Sequence, residues 1–349
     1  MEISRSQIAN LIKTQKENIV FTSGATESLN MAIKGTAESL SKKGKHIVTV
    51  ATEHQAVLDP LLYLEKKGFE ITRLPVSHHG IPDVMHLKKS LRSDTIMVVA
   101  MWANNETGLI HDVKSIANIC SEHGIMFICD GTQAVGKINI DIELSGPDML
   151  AFSAHKIYGP KGTGALYISP KNKNFKLSPL IHGGGHESGF RSGTINVPGV
   201  AGFGKAAELC VDEMLQDEAR IITLRNRFES KILSSIENTE VNGDTKHRLH
   251  TVSNFSVKHV DSQAVMTRLR TKLAISSGSA CSSSDPAPSH VLLAMGLSEA
   301  EAKSSFRISL GRFTTEEDIS QSADWLIEAI HAYRTESPVW QMFKQGITL

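Results

Sequence analysis

Short apolar runs separated by amphipathic helical stretches are the feature that most restricts the fold of this chain. HIVTV (46–50), IMVVA (96–100), IMFICD (125–130) and DMLAFS (148–153) read as buried strands rich in Val, Ile and Met. Between them, LDPLLYLEKKG (58–68) and VKSIANICSEHG (113–124) place apolar residues at i, i+3 and i+4 and end at Gly, as helices do. Strands that alternate with helices predict an α/β fold whose largely parallel sheet is covered on both faces. Around 199–233 the helical period runs on into one long helix, straight or kinked, that could link two domains. Beyond it, strands are expected at 252–257, 274–280 and 304–311, with helices at 261–270, 315–334 and 338–345, as a smaller C-terminal α+β domain. The division expected is a large domain over 1–210 and a small one over 211–349.

Composition removes several classes of function. Lys+Arg and Asp+Glu balance at 37 each, so no membrane surface or direct nucleic-acid binding is predicted from net charge. Cys120, Cys129, Cys210 and Cys281 are widely spaced, without a CxxC pair, which suggests neither a disulfide framework nor a zinc site. The first three lie in apolar patterns and are expected in the core. No apolar run approaches the ~18 residues of a membrane span, and MEISRSQIANLIK lacks a signal-peptide core. These features read as a cytoplasmic protein.

Four segments carry the chemistry. In FTSGATESLNMAIKG (21–35), small residues precede an apolar-periodic helix, so free N–H groups and the positive dipole end would converge on one point. Gly24 lets backbone approach a ligand and the Thr26 hydroxyl adds a bond; Ser23, Thr26 and Glu27 equally resemble a capping box. IMFICDGTQAVG (125–136) delivers Asp130 at the C-terminal end of a strand, where open α/β sheets hold ligands, although such a carboxylate can simply cap the next turn. In DMLAFSAHKIYGPKGTGALYI (148–168), a strand runs into Lys156 and a Gly-rich segment, then another strand; a partly neutral lysine there can form a Schiff base. Finally, AISSGSACSSSDPAPSH (274–290) surrounds Cys281 with seven serines, so this thiol reads as a reactive group rather than a core residue.

Together, SGATES, TEHQAV (52–57), NNETG (104–108), CDGTQAVGK, SAHKIYGPKG, HGGGHESGFRSGT (182–194), SSGSAC and RISLGRFTTEEDI resemble cysteine desulfurases of the NifS/IscS kind, in order along nearly the whole chain. These are fold-type I, class V aminotransferase-like enzymes that use pyridoxal 5'-phosphate (PLP). The resemblance implies that Lys156 carries the cofactor and then moves protons, Asp130 pairs with the pyridinium nitrogen, Gln133 donates to the phenolic oxygen and His54 stacks on the ring. Gly24, Ala25, Thr26, Ser153 and His155 would hold the phosphate, and Thr194 would reach the phosphate of the neighbouring subunit in a homodimer. Asn105 would lie beside ring and substrate, and Arg307 would bind the carboxylate of L-cysteine in a planar two-point contact. Cys281 would take the sulfur as a persulfide, release alanine and pass the sulfur to an acceptor protein such as an iron–sulfur scaffold, or into tRNA thiolation or DNA phosphorothioation.

Against the family pattern, the match begins near SRSQIANLIKTQKENIVFTSGATE (4–27), without the preceding strand and DNAATTP-like segment. Two other readings remain open: a selenocysteine lyase, and an inactive binding or scaffold protein. His182 and His186 are four apart, but Gly183, Gly184 and Gly185 lie between them, so neither a helical metal pair nor any other metal site is expected.

Overall fold

A computed structural model describes residues 1–171, 175–276 and 287–346, which fall into two compact units. The first comprises residues 1–76, 81–104 and 110–215; the second comprises 77–80, 105–109 and 216–349.

The first unit contains strands β1 (Ile19–Thr22), β2 (His46–Val50), β3 (Glu70–Leu74), β4 (Thr95–Met101), β5 (Met126–Asp130), β6 (Met149–Ser153) and β7 (Gly164–Ile168). They form one sheet in the order β1-β7-β6-β5-β4-β2-β3. Helices α1 (Glu2–Leu11), α2 (Ala25–Leu40), α3 (Gln55–Glu65), α4 (Val84–Ser90), α5 (Val113–Glu122) and α6 (Ile142–Ser145) belong to the same unit. Every residue of β2, β4, β5 and β6 is buried, as expected of strands covered on both faces. β3 lies at the sheet edge, where its charged Glu70 and Arg73 discourage pairing with another chain. β2 pairs in parallel with β3 and β4, and parallel pairing continues through β5 to β6. β7 is antiparallel to both neighbours. Its connection from β6, residues 154–163, contains only a short 3₁₀ turn, too little for the crossover of about a dozen or more residues that a parallel return requires. Leu29, Ile33, Val57, Leu61, Val99 and Ile128 are among the residues that fill the core on the sheet.

Helix α7 (Val197–Ser235) is continuous, as the long helical period predicted. The second unit contains β8 (Thr239–Val241), β9 (Val252–Val257) and β10 (Ser305–Ser309), with α8 (Ser262–Leu269), α9 (His290–Ala294), α10 (Glu299–Lys303), α11 (Glu316–Glu336) and α12 (Pro338–Lys344). Its antiparallel sheet has the order β10-β9-β8, and Phe228, Phe255 and Phe306 anchor its core. The strand expected at 274–280 does not form where the chain is described: Ala274 and Ile275 are irregular and Ser276 makes a single bridge to Arg307. The rest of that segment lies outside the described residues. Among the described residues, no helix is long and apolar enough to cross a membrane.

Candidate active site

The predicted anion cradle forms at the start of α2. Gly24 is its N-cap, and no N-cap side chain satisfies the first-turn amides. The alternative capping box does not form: Glu27 accepts from the Ser23 N–H at 2.8 Å, one residue before the N-cap. The Ala25 N–H instead donates to Ser153 Oγ at 2.7 Å, joining the helix to the last residue of β6. Glycine is needed at position 24 for its backbone angle (φ 156°) and at position 164 for space. A Cβ on Gly24 would lie 3.4 Å from Ser153 Oγ, and one on Gly164 would lie 2.5 Å from Gly24 Cα. A helix start left open, with glycine below it, suits a phosphate.

Asp130 ends β5, directly across from Ala151 in the parallel ladder. Burial raises the proton affinity of its carboxyl, and Thr132, whose N–H donates at 2.9 Å, draws it back. His54, whenever it is protonated, and then Lys156 act in the same direction as Thr132. Lys156 is exposed, in the 3₁₀ turn just beyond β6. His54 caps α3: the Ala56 N–H donates to its Nδ1 at 3.0 Å, which leaves Nε2 as the protonated nitrogen of the neutral ring. His54 and Thr26 line one cleft of about 290 Å³ together with Asn30, Lys34, Gln55 and Asp59. Burial lowers the His155 imidazole, and the charges of Lys156 and Lys161 add to the effect. Gln133 is half-buried, and its Oε1 accepts from Lys137 Nζ.

Thus Gly24, Ala25, Thr26, His54, Asp130, Gln133, Ser153, His155 and Lys156 all lie in the first unit. All but Ala25 and Thr26, which open α2, stand at the ends of strands or in the segments that follow them. A buried carboxylate, an amine and an imidazole beside an uncapped helix start fit the nitrogen, aldehyde and phosphate of PLP. Asn105 and Arg307 belong to the second unit and meet there, Arg307 Nη1 donating to the Asn105 carbonyl at 3.3 Å. Thr194 is exposed on the glycine-rich loop 182–194. Two ion pairs tie that loop down. Arg5 grips Glu187 through two bonds of 2.8 Å, and Arg191 Nε donates to Glu27 Oε1 at 2.8 Å. Cys281 lies outside the described residues.

His186 is exposed, and its Nδ1 accepts from the Gly193 N–H at 3.3 Å. No group of His, Cys, Asp and Glu able to hold a metal occurs among the described residues. Cys120, Cys129 and Cys210 are buried, as their apolar settings predicted.

Two residues near the site were quoted within motifs but given no role. Glu53 is fully buried. Burial holds its carboxyl well above the usual range, against the Met101 N–H at 2.8 Å and with the added push of the Asp130 charge. Lys137 contacts Gln133. The signal for both was adjacency, since each stands in a short motif beside a residue with an assigned role.

The aminotransferase class-V family model matches residues 1–321. The cysteine desulfurase IscS of Shewanella sp. (strain ANA-3) is 47% identical over 349 residues, covering 100% of this chain and 86% of that one. A solved NifS-like protein superposes with a TM-score of 0.87 at 32% identity, over 95% of this chain and 87% of its own. A NifS-like protein from Rickettsia africae ESF-5 gives 0.83 at 32% identity, over 94% and 87%. The fold and these matches define a PLP-dependent enzyme of the aminotransferase class-V family. Within that family, the chain belongs to the NifS/IscS-like cysteine desulfurases.

Proposed function

We propose that this chain removes sulfur from L-cysteine with Lys156 as the cofactor-bearing amine and Cys281 as the sulfur acceptor. The observation that carries the reading is the buried Asp130 carboxylate at the C-terminal end of β5, on the strand next to β6, whose following turn carries Lys156. When bound, PLP supplies a protonated ring that draws electrons away from the substrate Cα. Asp130 would face the ring nitrogen; a carboxylate short of solvent gains strongly from a cationic N–H partner. Gln133 would donate to the phenolic oxygen, and His54, held by its cap, would cover the ring face. Gly24, Ala25 and Thr26, with Ser153 and His155, would hold the phosphate at the start of α2.

Lys156 Nζ would take up and return the substrate proton. Arg307 would hold the substrate carboxylate through its planar fork, with Asn105 alongside. The Cys281 thiolate would form an S–S bond to the substrate sulfur as the substrate C–S bond breaks. The carbon would then take up a proton, and alanine would leave. The loop anchored by Glu187 and Arg191 would present Thr194 to a second copy of the chain, making the working unit a homodimer. The persulfide would then pass to an acceptor protein, and an iron–sulfur scaffold, tRNA thiolation and DNA phosphorothioation all draw on this first half-reaction.

The test is turnover of L-cysteine with a reductant present. Alanine and sulfide should appear in equal amounts, Lys156→Ala should produce neither, and Cys281→Ala should lose sulfide release. Full sulfide release by Cys281→Ala would overturn the role of that thiol.

A further inference from the structure

Lys137 stands four residues after Gln133, in the turns that follow β5, and its Nζ donates to Gln133 Oε1. A lysine side chain offers only donors while charged, so it accepts one orientation of the amide alone, oxygen inward. A turned amide would set its NH₂ against the ammonium, donor facing donor. With the oxygen committed, the Gln133 NH₂ is the group left to serve an acceptor elsewhere. We propose that Lys137 is a positioning residue which, through the Gln133 carbonyl, fixes the amide so that its NH₂ is presented to the phenolic oxygen of the cofactor. The inference rests on the assignment of Gln133 as a cofactor ligand made above.

The setting of Lys137 supports this role. Part of its surface reaches solvent, yet it lies in dense surroundings, and that burial pushes its ammonium down from 10.5 to about 7. The positive charge of Lys156 adds to the depression and Cys210 opposes it, so Lys137 lies within reach of the cofactor-bearing amine. A lysine meant only to solubilise the surface would not be kept where its charge is disfavoured. The ammonium enforces this orientation while it is charged; the neutral amine keeps an N–H for the Gln133 oxygen but no longer excludes the turned amide.

The holoenzyme reports the orientation through colour. A donor at the phenolic oxygen favours the deprotonated form, so it lowers the pH at which the absorption of the Lys156-linked cofactor changes. Lys137→Met should raise that midpoint by about one pH unit, the effect of losing one hydrogen bond. Gln133→Leu should raise it by a similar amount, and the double variant should go no further than Gln133→Leu. Additive shifts would mean that Lys137 acts by its own charge, and an unmoved midpoint in Lys137→Met would mean that it only braces the turn; either result overturns the proposal. Where Lys137→Met does not load cofactor, Lys137→Gln, which keeps a neutral donor, replaces it. A wild-type midpoint then supports the proposal, and a midpoint like that of Gln133→Leu overturns it. Borohydride reduction of the wild-type holoenzyme should fix the cofactor on Lys156; failure there would refute the cofactor assignment itself, separately from the role of Lys137.

Discussion

Gly164→Ala is expected to weaken PLP binding through the backbone of the Gly24 turn. Gly164 opens β7 opposite Thr22 of β1, and an added Cβ would lie 2.5 Å from Gly24 Cα and 2.7 Å from the Gly24 carbonyl carbon. Carbon atoms rest at about 3.5–4.0 Å, so the turn into α2 or the β7 backbone must give way by roughly 1 Å. Overpacking of this kind typically costs ~1–3 kcal/mol of stability. The displaced backbone is the one that holds Ala25 against Ser153. Taking a single N–H out of line with a phosphate removes a charge-assisted bond of ~1.5–3 kcal/mol, a roughly tenfold to hundredfold rise in the PLP Kd. The assay is reconstitution of apoprotein by PLP followed by absorbance, beside thermal unfolding without cofactor. Gly44→Ala is the control: its Cβ would meet the Asp94 carbonyl oxygen at 2.0 Å, just before β2 and at the opposite end of the sheet from the site. It should lose stability yet bind PLP as the wild type does. If Gly164→Ala lost stability but kept a wild-type Kd, the coupling between this glycine contact and the cradle would be refuted.

Two further outcomes follow from buried titratable groups. Burial pushes the His111 imidazole from 6.5 down to about 4, against a weaker upward pull from the Met101 backbone. As pH falls, the unfolded chain takes up this proton first, so stability present above pH 6.5 should drain away down to about pH 4. The span corresponds to roughly 3 kcal/mol, and urea unfolding of His111→Gln should show a flatter slope across that window. At Glu53, a carboxyl held well above its usual range is matched by a neutral amide of the same shape. Glu53→Gln should therefore leave stability within about 0.5 kcal/mol of wild type, whereas Glu53→Ala strands the Met101 N–H and should cost ~1–3 kcal/mol. Equal losses in the two variants would show that Glu53 is ionised in the folded protein.

The parallel part of the sheet was legible because strands buried on both faces read as unbroken apolar runs, and β2, β4, β5 and β6 are such strands. The edge strand β3, with its alternation of charge and partial exposure, carries no such signal, and neither does the four-residue β1. The reversed direction of β7 follows from the length of a connection, which only a known pairing makes informative. At the site, Asp130 and Lys156 could be placed from the strand ends they follow. The tie between Ala25 and Ser153 joins residues 128 apart, and the clamp between Arg5 and Glu187 joins residues 182 apart; no local pattern encodes either. Of the segment 274–280, Ala274 and Ile275 are irregular and Ser276 forms one bridge to Arg307, while residues 277–280 lie outside the described residues.

The sealing of Cys120, Cys129 and Cys210 turns the chain into its own single-hit reporter. Their side chains are at most 1% exposed, and burial pushes the Cys120 and Cys129 thiols above their ordinary proton affinity, which withholds the thiolate that alkylating reagents need. An alkylating agent that adds one group to the native protein is therefore not counting Cys120, Cys129 or Cys210, and an intact-mass spectrum can test whether that group sits on Cys281 with no cysteine engineered away.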